Sequence, residues 1–203
     1  MFVELLRSKL EGICELPEPQ IERLKLHYEL LTRWNKVLSL TSVRTLDEAV
    51  ERHYCESVFA AHHLPEGPAS IADVGSGAGF PGIPIAIVRP DWSVVLIESH
   101  QRKAAFLKEA SRDLPNVRVA AKRAEEVAER FDWVVSRAVR YSDIAGAVKK
   151  LGRNAELLTG DVRTANLHGF EWREPIRLPW GDRRYLWIGS SSVSRETEHN
   201  CFT

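Results

Sequence analysis

The feature that most constrains this chain is a short apolar run over 70–74 that runs straight into Gly75-Ser76-Gly77-Ala78-Gly79-Phe80-Pro81-Gly82. Glycine tolerates positive φ and lets a ligand approach the main chain, so a strand followed by Gly-x-Gly-x-Gly gathers backbone N–H groups around a bound group. Nucleotide-type cofactors require that geometry. The turn also opens a regular alternation. Apolar runs at 93–97, 117–121, 132–136 and 155–159 are separated by helical patterns near 83–89, 101–112, 123–130 and 142–149. This predicts an α/β, Rossmann-like sheet, mostly parallel, with helices on both faces and a ligand crevice at the carboxyl ends of the strands. Two further strands, near 170–178 and 184–188, suit antiparallel edges and bring the sheet to seven strands.

Ahead of the turn, apolar residues recur at helical spacing, which predicts helices over about 2–11, 18–37 and 46–62. Leu64-Pro65-Glu66-Gly67-Pro68 breaks the pattern. The expected organisation is a helical extension over 1–63, a cofactor-binding domain over 64–189 and a polar, aperiodic, disordered tail over 190–203. A chain of 203 residues accommodates one such core with a small extension.

The sequence has no long apolar run, and Glu4 interrupts the N-terminus, so the expectation is a cytoplasmic protein without membrane contact. Cys14, Cys55 and Cys201 are widely spaced and read as reduced thiols rather than metal ligands; no metal is expected. Net charge is zero but uneven. Residues 1–60 carry 8 Lys and Arg against 10 Asp and Glu, whereas residues 101–153 carry 13 against 7. The second region could meet a polyanion.

Taken literally, Gly77-Ala78-Gly79-Phe80-Pro81-Gly82 matches the dinucleotide pattern G-x-G-x-x-G, so a nicotinamide-dependent oxidoreductase has to be weighed. Asp73, two residues before Gly75, opposes that reading. A carboxylate there suits the amino group of a methionine moiety better than a pyrophosphate. Glu98 closes the second strand, 23 residues after Gly75, where an acid can accept both ribose hydroxyls of an adenosine. The bland alternatives are a turn or helix cap for Asp73 and a helix cap for Glu98.

Four strings occur in an order and spacing that resemble one family: Trp34-Asn35-Lys36-Val37-Leu38-Ser39-Leu40-Thr41-Ser42-Val43-Arg44; Arg52-His53; Ala72 through Pro84; and Val134-Val135-Ser136-Arg137-Ala138. It is the bacterial family of small-subunit ribosomal RNA guanine-N7 methyltransferases, known as RsmG or glucose-inhibited division protein B. The resemblance runs from about residue 20 to 160. It implies a class I methyltransferase sheet with an N-terminal helical extension, using S-adenosylmethionine to methylate N7 of a guanine in 16S RNA. The implied partner is small-subunit ribosomal RNA or the small ribosomal subunit, and a monomer is expected.

Carried over by position, the family's cofactor contacts fall on Gly75, Phe80, Glu98, Ala124, Glu125 and Arg137, to which the reading of the turn adds Asp73 and Gly77. Arg137, Arg140, Arg102, Lys103 and Arg123 are the candidates for RNA contact. Two departures stand out: Thr159 replaces a basic residue at the end of the fifth strand, with Asp161 and Arg163 close behind, and Glu56-Ser57 replaces an aspartate-serine pair. The lost lysine keeps a non-catalytic ribosome-binding relative in view as a second alternative.

Guanine N7 carries a lone pair and no proton. Its methylation needs no general base, and no catalytic side chain is assigned; orientation does the work. Asn35, His53 and Trp34 read as capping or packing residues.

Overall fold

A computed structural model describes residues 1–137, 141–160 and 169–191. The helical layer consists of α1 (Phe2–Leu10), α2 (Glu18–Leu38), α3 (Leu46–Ala49), a π-helical turn (Val50–Cys55) and α4 (Glu56–His63). The alternating part follows: β1 (Ser70–Val74), α5 (Gly82–Val88), β2 (Ser93–Ile97), α6 (Gln101–Ala110), β3 (Val117–Ala120), a 3-10 turn (Ala124–Glu126), β4 (Phe131–Arg137), α7 (Tyr141–Leu151) and β5 (Gly152–Thr159). The sheet ends with β6 (Phe170–Trp172), β7 (Ile176–Arg177) and β8 (Tyr185–Ser191).

Strands β3-β2-β1-β4-β5 pair in parallel in that order, and β8 adds antiparallel to β5, with β6 and β7 both on β8. The α/β class, the parallel core and the helices on both faces are as expected, but the strand count is not. The described residues form eight strands because the run near 170–178 is interrupted at Pro175, which has no N–H to give a ladder.

Three other boundaries move. The helix expected over 123–130 is a single turn. Ala124 and Val127 are its only buried positions and Ala128, Glu129 and Arg130 are exposed, too little of an apolar stripe to hold a longer helix. The helix expected over 101–112 ends at Ala110. The third helix is broken in kind: within 46–63 the Glu56 N–H donates to the Glu51 carbonyl, five residues back. The tail expected from 190 begins later, since β8 runs to Ser191; the disorder expected beyond it, with Arg140, Asp161, Arg163 and Cys201, lies outside the described residues.

Two apolar clusters flank the sheet. One joins α1, α2, α4, α5 and α6 to one face, through Leu6, Leu24, Leu31, Val58, Ile83 and Phe106; the other packs α7, through Ile144, Val148 and Leu151, on the opposite face. Val94-Val95-Leu96-Ile97 of β2 is buried on both sides, which is why it reads as a continuous apolar run. Each such side chain contributes roughly 1.5–3 kcal/mol. The linker after α4 is fixed by the Arg89 guanidinium, which donates to the carbonyls of Ala61, Leu64, Pro65 and Gly67. Among the described residues no helix is long and apolar enough to cross a membrane.

Strand register sets what reaches one face. Asp73 pairs with Val135, which pairs with Glu156, so two acids share a row two strands apart. Glu156 is 1% exposed and neither oxygen has a partner; burial pushes its carboxyl well above the usual range and keeps it protonated.

Candidate functional site

Because the five central strands are parallel, their carboxyl ends share one edge, and the strand order reverses between β1 and β4. The glycine turn follows β1, Glu98 follows β2, Ala124 and Glu125 lie beyond β3, Arg137 ends β4 and Thr159 ends β5. The topology brings to one edge the residues singled out from the sequence.

The turn uses left-handed glycines at Gly75 (φ 74), Gly77 (φ 56) and Gly79 (φ 87), conformations a Cβ would strain. Its N–H groups are directed at protein. Gly75 and Ser76 donate to the Ile97 carbonyl, Gly79 and Phe80 to the Ser76 carbonyl, and Gly77 to Glu98 Oε2 at 3.0 Å. The start of α5 is likewise satisfied: Gly82 N–H donates to Asp73 Oδ2 at 3.0 Å and Ile83 N–H to the Gly79 carbonyl. The cradle of free donors expected from the glycine spacing is therefore replaced by a self-tied loop.

Asp73 is fully buried. One oxygen caps α5 and the other, Oδ1, has no partner. Burial raises its carboxyl to about 7, against the pull of the Gly82 N–H and the Ser76 hydroxyl. Glu98 is buried as well. Its Oε2 takes the Gly77 N–H and its Oε1 the His100 N–H at 2.8 Å, so it ties the second strand to the turn rather than capping the next helix.

The ring of Phe80 packs in the core, stacked on His53 with centroids 4.5 Å apart and edge-on to His27 and Tyr54. Ala124 is buried in the 3-10 turn, while the Glu125 carbonyl accepts the Lys150 ammonium at 2.7 Å. Arg102 and Lys103 lie in the first turn of α6 and Arg123 just before the 3-10 turn; none of the three is in an ion pair among the described residues.

Among the described residues Arg137 forms an ion pair with neither Asp73 nor Glu98. Its guanidinium lies 5.4 Å from the Phe80 ring centroid and donates to the Arg52 carbonyl and, at 2.5 Å, to His53 Nδ1. Glu56 Oε2 is 3.6 Å away and also receives Arg184 Nη2 at 2.5 Å. A guanidinium only donates, so His53 Nδ1 must accept and the ring proton sits on Nε2, which donates to Thr41 Oγ1 at 2.7 Å. Burial and the neighbouring Arg137 push the imidazole down to about 2, so it stays neutral. Thr41 N–H in turn donates to Asn35 Oδ1 at 2.9 Å.

His53, Glu56, Asn35 and Thr41 were not read as a unit from sequence. Their joint role shows only when the chain folds α2, the π-turn and β4 against one another. Trp34 does pack in the core, edge-on to Phe106. Thr159 lies in register with Tyr185, and Arg184, just before β8, is paired with Glu56.

The family profile described as "GidB: rRNA small subunit methyltransferase G" matches residues 20–159. Proteins named ribosomal RNA small subunit methyltransferase G are similar to this chain. That of Nitrosomonas europaea is 44% identical over 63% of this chain and 64% of its own length; that of Chromobacterium violaceum is 37% identical over 88% and 85%. The first alignment thus spans just under two thirds of the relative.

Solved structures similar in fold include the fibrillarin pre-rRNA processing protein of Methanococcus jannaschii (TM-score 0.56, 14% identity, 70% of this chain and 76% of that one). Another is TrmK of M. capricolum in complex with S-adenosyl-homocysteine (TM-score 0.54, 12% identity, 67% of each chain). The fold is that of class I S-adenosylmethionine-dependent methyltransferases, and the chain belongs to the rRNA small subunit methyltransferase G family.

Proposed function

We propose that this chain transfers a methyl group from S-adenosylmethionine to N7 of a guanine in 16S ribosomal RNA, acting in the cytoplasm as a monomer. The observation that carries this reading is the self-tied glycine turn. With the Gly75, Ser76, Gly77, Gly79, Phe80 and Gly82 N–H groups already given to protein acceptors, and a carboxylate capping α5, a pyrophosphate would meet charge repulsion and few donors. The nicotinamide alternative loses its phosphate site.

The same residues fit a methyl donor with an ammonium at one end and a ribose at the other. Asp73 Oδ1 is a buried acceptor without a partner, suited to the ammonium. Each Glu98 oxygen takes one main-chain N–H and keeps a lone pair for a ribose hydroxyl. The cofactor supplies a methyl group already activated on sulfonium. The protein's task is to present N7 in line with it. A-form RNA hides N7 in its deep, narrow groove, so the guanine must be unpaired or splayed, with Arg102, Lys103 and Arg123 available around the crevice for phosphate contacts, while the Arg137 guanidinium is committed to Arg52, His53 and Glu56.

The deciding experiment supplies methyl-labelled cofactor and small subunits lacking the modification, and maps the product. Label at a guanine N7 is expected. Binding of S-adenosylhomocysteine and of subunits without any transfer would replace this reading by the non-catalytic relative. Thermal stabilisation by NAD but not by S-adenosylhomocysteine would replace it by an oxidoreductase.

A pH dependence follows from Asp73. A cation favours the ionised carboxylate, so cofactor that binds below pH 7 must first expel a proton from a group held at about 7. The dissociation constant for S-adenosylhomocysteine should fall about tenfold per pH unit from 5 to 7 and level off above. Asp73→Asn should abolish that slope. Calorimetry across the range decides, and a flat wild-type profile would remove Asp73 from the site.

A further inference from the structure

An open cleft of about 630 Å3 lies between the C-terminal half of α2, the 39–45 connector and the π-turn, and is lined in part by Asn35, Lys36, Thr41, Ser42, Arg44 and His53. We infer that this cleft binds the sugar-phosphate backbone of the single-stranded RNA segment that carries the target guanine. The inference rests on the methyltransferase reading and adds to it the site where the substrate strand lies.

Charge carries the argument first. None of the described residues lining the cleft is an Asp or Glu, although residues 1–60 hold 10 of them. Several cations nearby are neutralised, Lys25 by Glu22 and Glu29, Arg52 by Glu48, and Lys9 of α1 by Asp47 and Glu51. Lys36 and Arg44 are exposed and enter no ion pair among the described residues. Two unpaired cations with no acid between them attract an anion.

The polar lining matches the same ligand. Hydroxyls of Thr32, Ser39, Ser42 and Thr45 surround the cleft, and Asn35 has its carbonyl oxygen committed to Thr41 N–H, which leaves its amino group as a donor. Hydroxyl and amide donors beside Lys and Arg are the usual phosphate and sugar contacts. Ser39, which lines the cleft, ends α2 in a left-handed conformation at φ 48, unusual for a residue with a Cβ. Strained backbone kept at the edge of a polar cleft suits a functional surface.

Position completes the case. His53, on the cleft wall, stacks on Phe80 of the glycine turn and receives the Arg137 guanidinium. One imidazole therefore separates the cleft from the carboxyl edge of the sheet. A strand held in the cleft is adjacent to the methyl-transfer position, so a splayed guanine need travel only a nucleotide or so.

The test combines Lys36→Glu and Arg44→Glu. Binding of unmodified small subunits is measured at several salt concentrations, beside methyl transfer and S-adenosylhomocysteine affinity; Lys25→Glu, on the same helix, is the control. The double variant should bind subunits at least tenfold more weakly at low salt. Its log–log salt slope should be shallower by about 1.4, the value for two phosphate contacts on a single strand. Cofactor affinity and the unfolding midpoint should be unchanged, and Lys25→Glu should behave as wild type.

Unchanged subunit binding in a wild type that methylates would overturn the cleft and leave the enzyme reading intact. Weaker binding with an unaltered salt slope would also overturn it, because that marks a protein contact. If wild type binds subunits without methylating them, the enzyme reading falls while the same comparison still judges the cleft. If wild type does neither, both fall.

Discussion

Glu56→Leu should lower the stability of the protein by about 3–5 kcal/mol, because it removes the partner of two guanidiniums that the fold holds beside it. Glu56 is 1% exposed, receives Arg184 Nη2 at 2.5 Å and lies 3.6 Å from Arg137. Burial raises its carboxyl while Arg184 and Arg137 pull it down. Leucine matches the apolar surroundings of α4 but leaves Arg137, itself largely buried, without its counter-charge. A midpoint shift of roughly 6–20 °C is expected for a chain of this size. A loss below about 1 kcal/mol in chemical denaturation would mean that the cluster adds nothing net to the fold. A double-mutant cycle with Arg184→Met would then isolate the pair, and a coupling near zero would confirm that result.

Glu98→Ala should weaken binding of S-adenosylhomocysteine by about a hundredfold or more, since hydrogen bonds to a charged acceptor contribute about 1.5–3 kcal/mol each and a ribose offers two donors. The same substitution frees the Gly77 and His100 N–H groups, so some stability is lost as well. The two effects separate in measurement. Calorimetry well below the unfolding midpoint reads affinity, and thermal unfolding without cofactor reads the fold. An affinity within threefold of wild type would show that Glu98 serves only to tie β2 to the glycine turn.

How much of this was legible depends on how local each signal was. The run over 94–97 is apolar throughout because β2 is buried on both faces, and a sequence reader needs nothing else to place it. Asp73, the glycines and Glu98 belong to two adjacent strand ends, and their spacing is visible in the chain. The 3-10 turn at Ala124–Glu126 reads as a helix because Ala124 and Val127 share a helical face; that the positions after them are exposed is set by packing against the sheet, which those residues alone do not reveal.

The Asn35–Thr41–His53–Arg137–Glu56–Arg184 cluster was the least accessible. Its members come from six places along the chain, and each alone is a commonplace polar residue. One clue was present: Glu56 sits at the head of Ser57-Val58-Phe59-Ala60-Ala61, all buried, where an unpaired acid would be costly. A buried acid in such a run implies a cation arriving from elsewhere. Pairing geometry was needed to say which one.

The π-turn at Val50–Cys55 bears on how this stretch can vary. The wide turn advances each residue by less than the roughly 100° of ordinary winding, so its six residues carry the chain about as far round the axis as five would in a regular helix. The extra residue is absorbed in place, and Glu56 keeps its face toward Arg137. Length is therefore freer inside this turn than beyond it: an insertion in the regular winding of α4, with no wide turn to take it up, should rotate the buried Val58–Ala61 run by about 100° and cost the soluble protein.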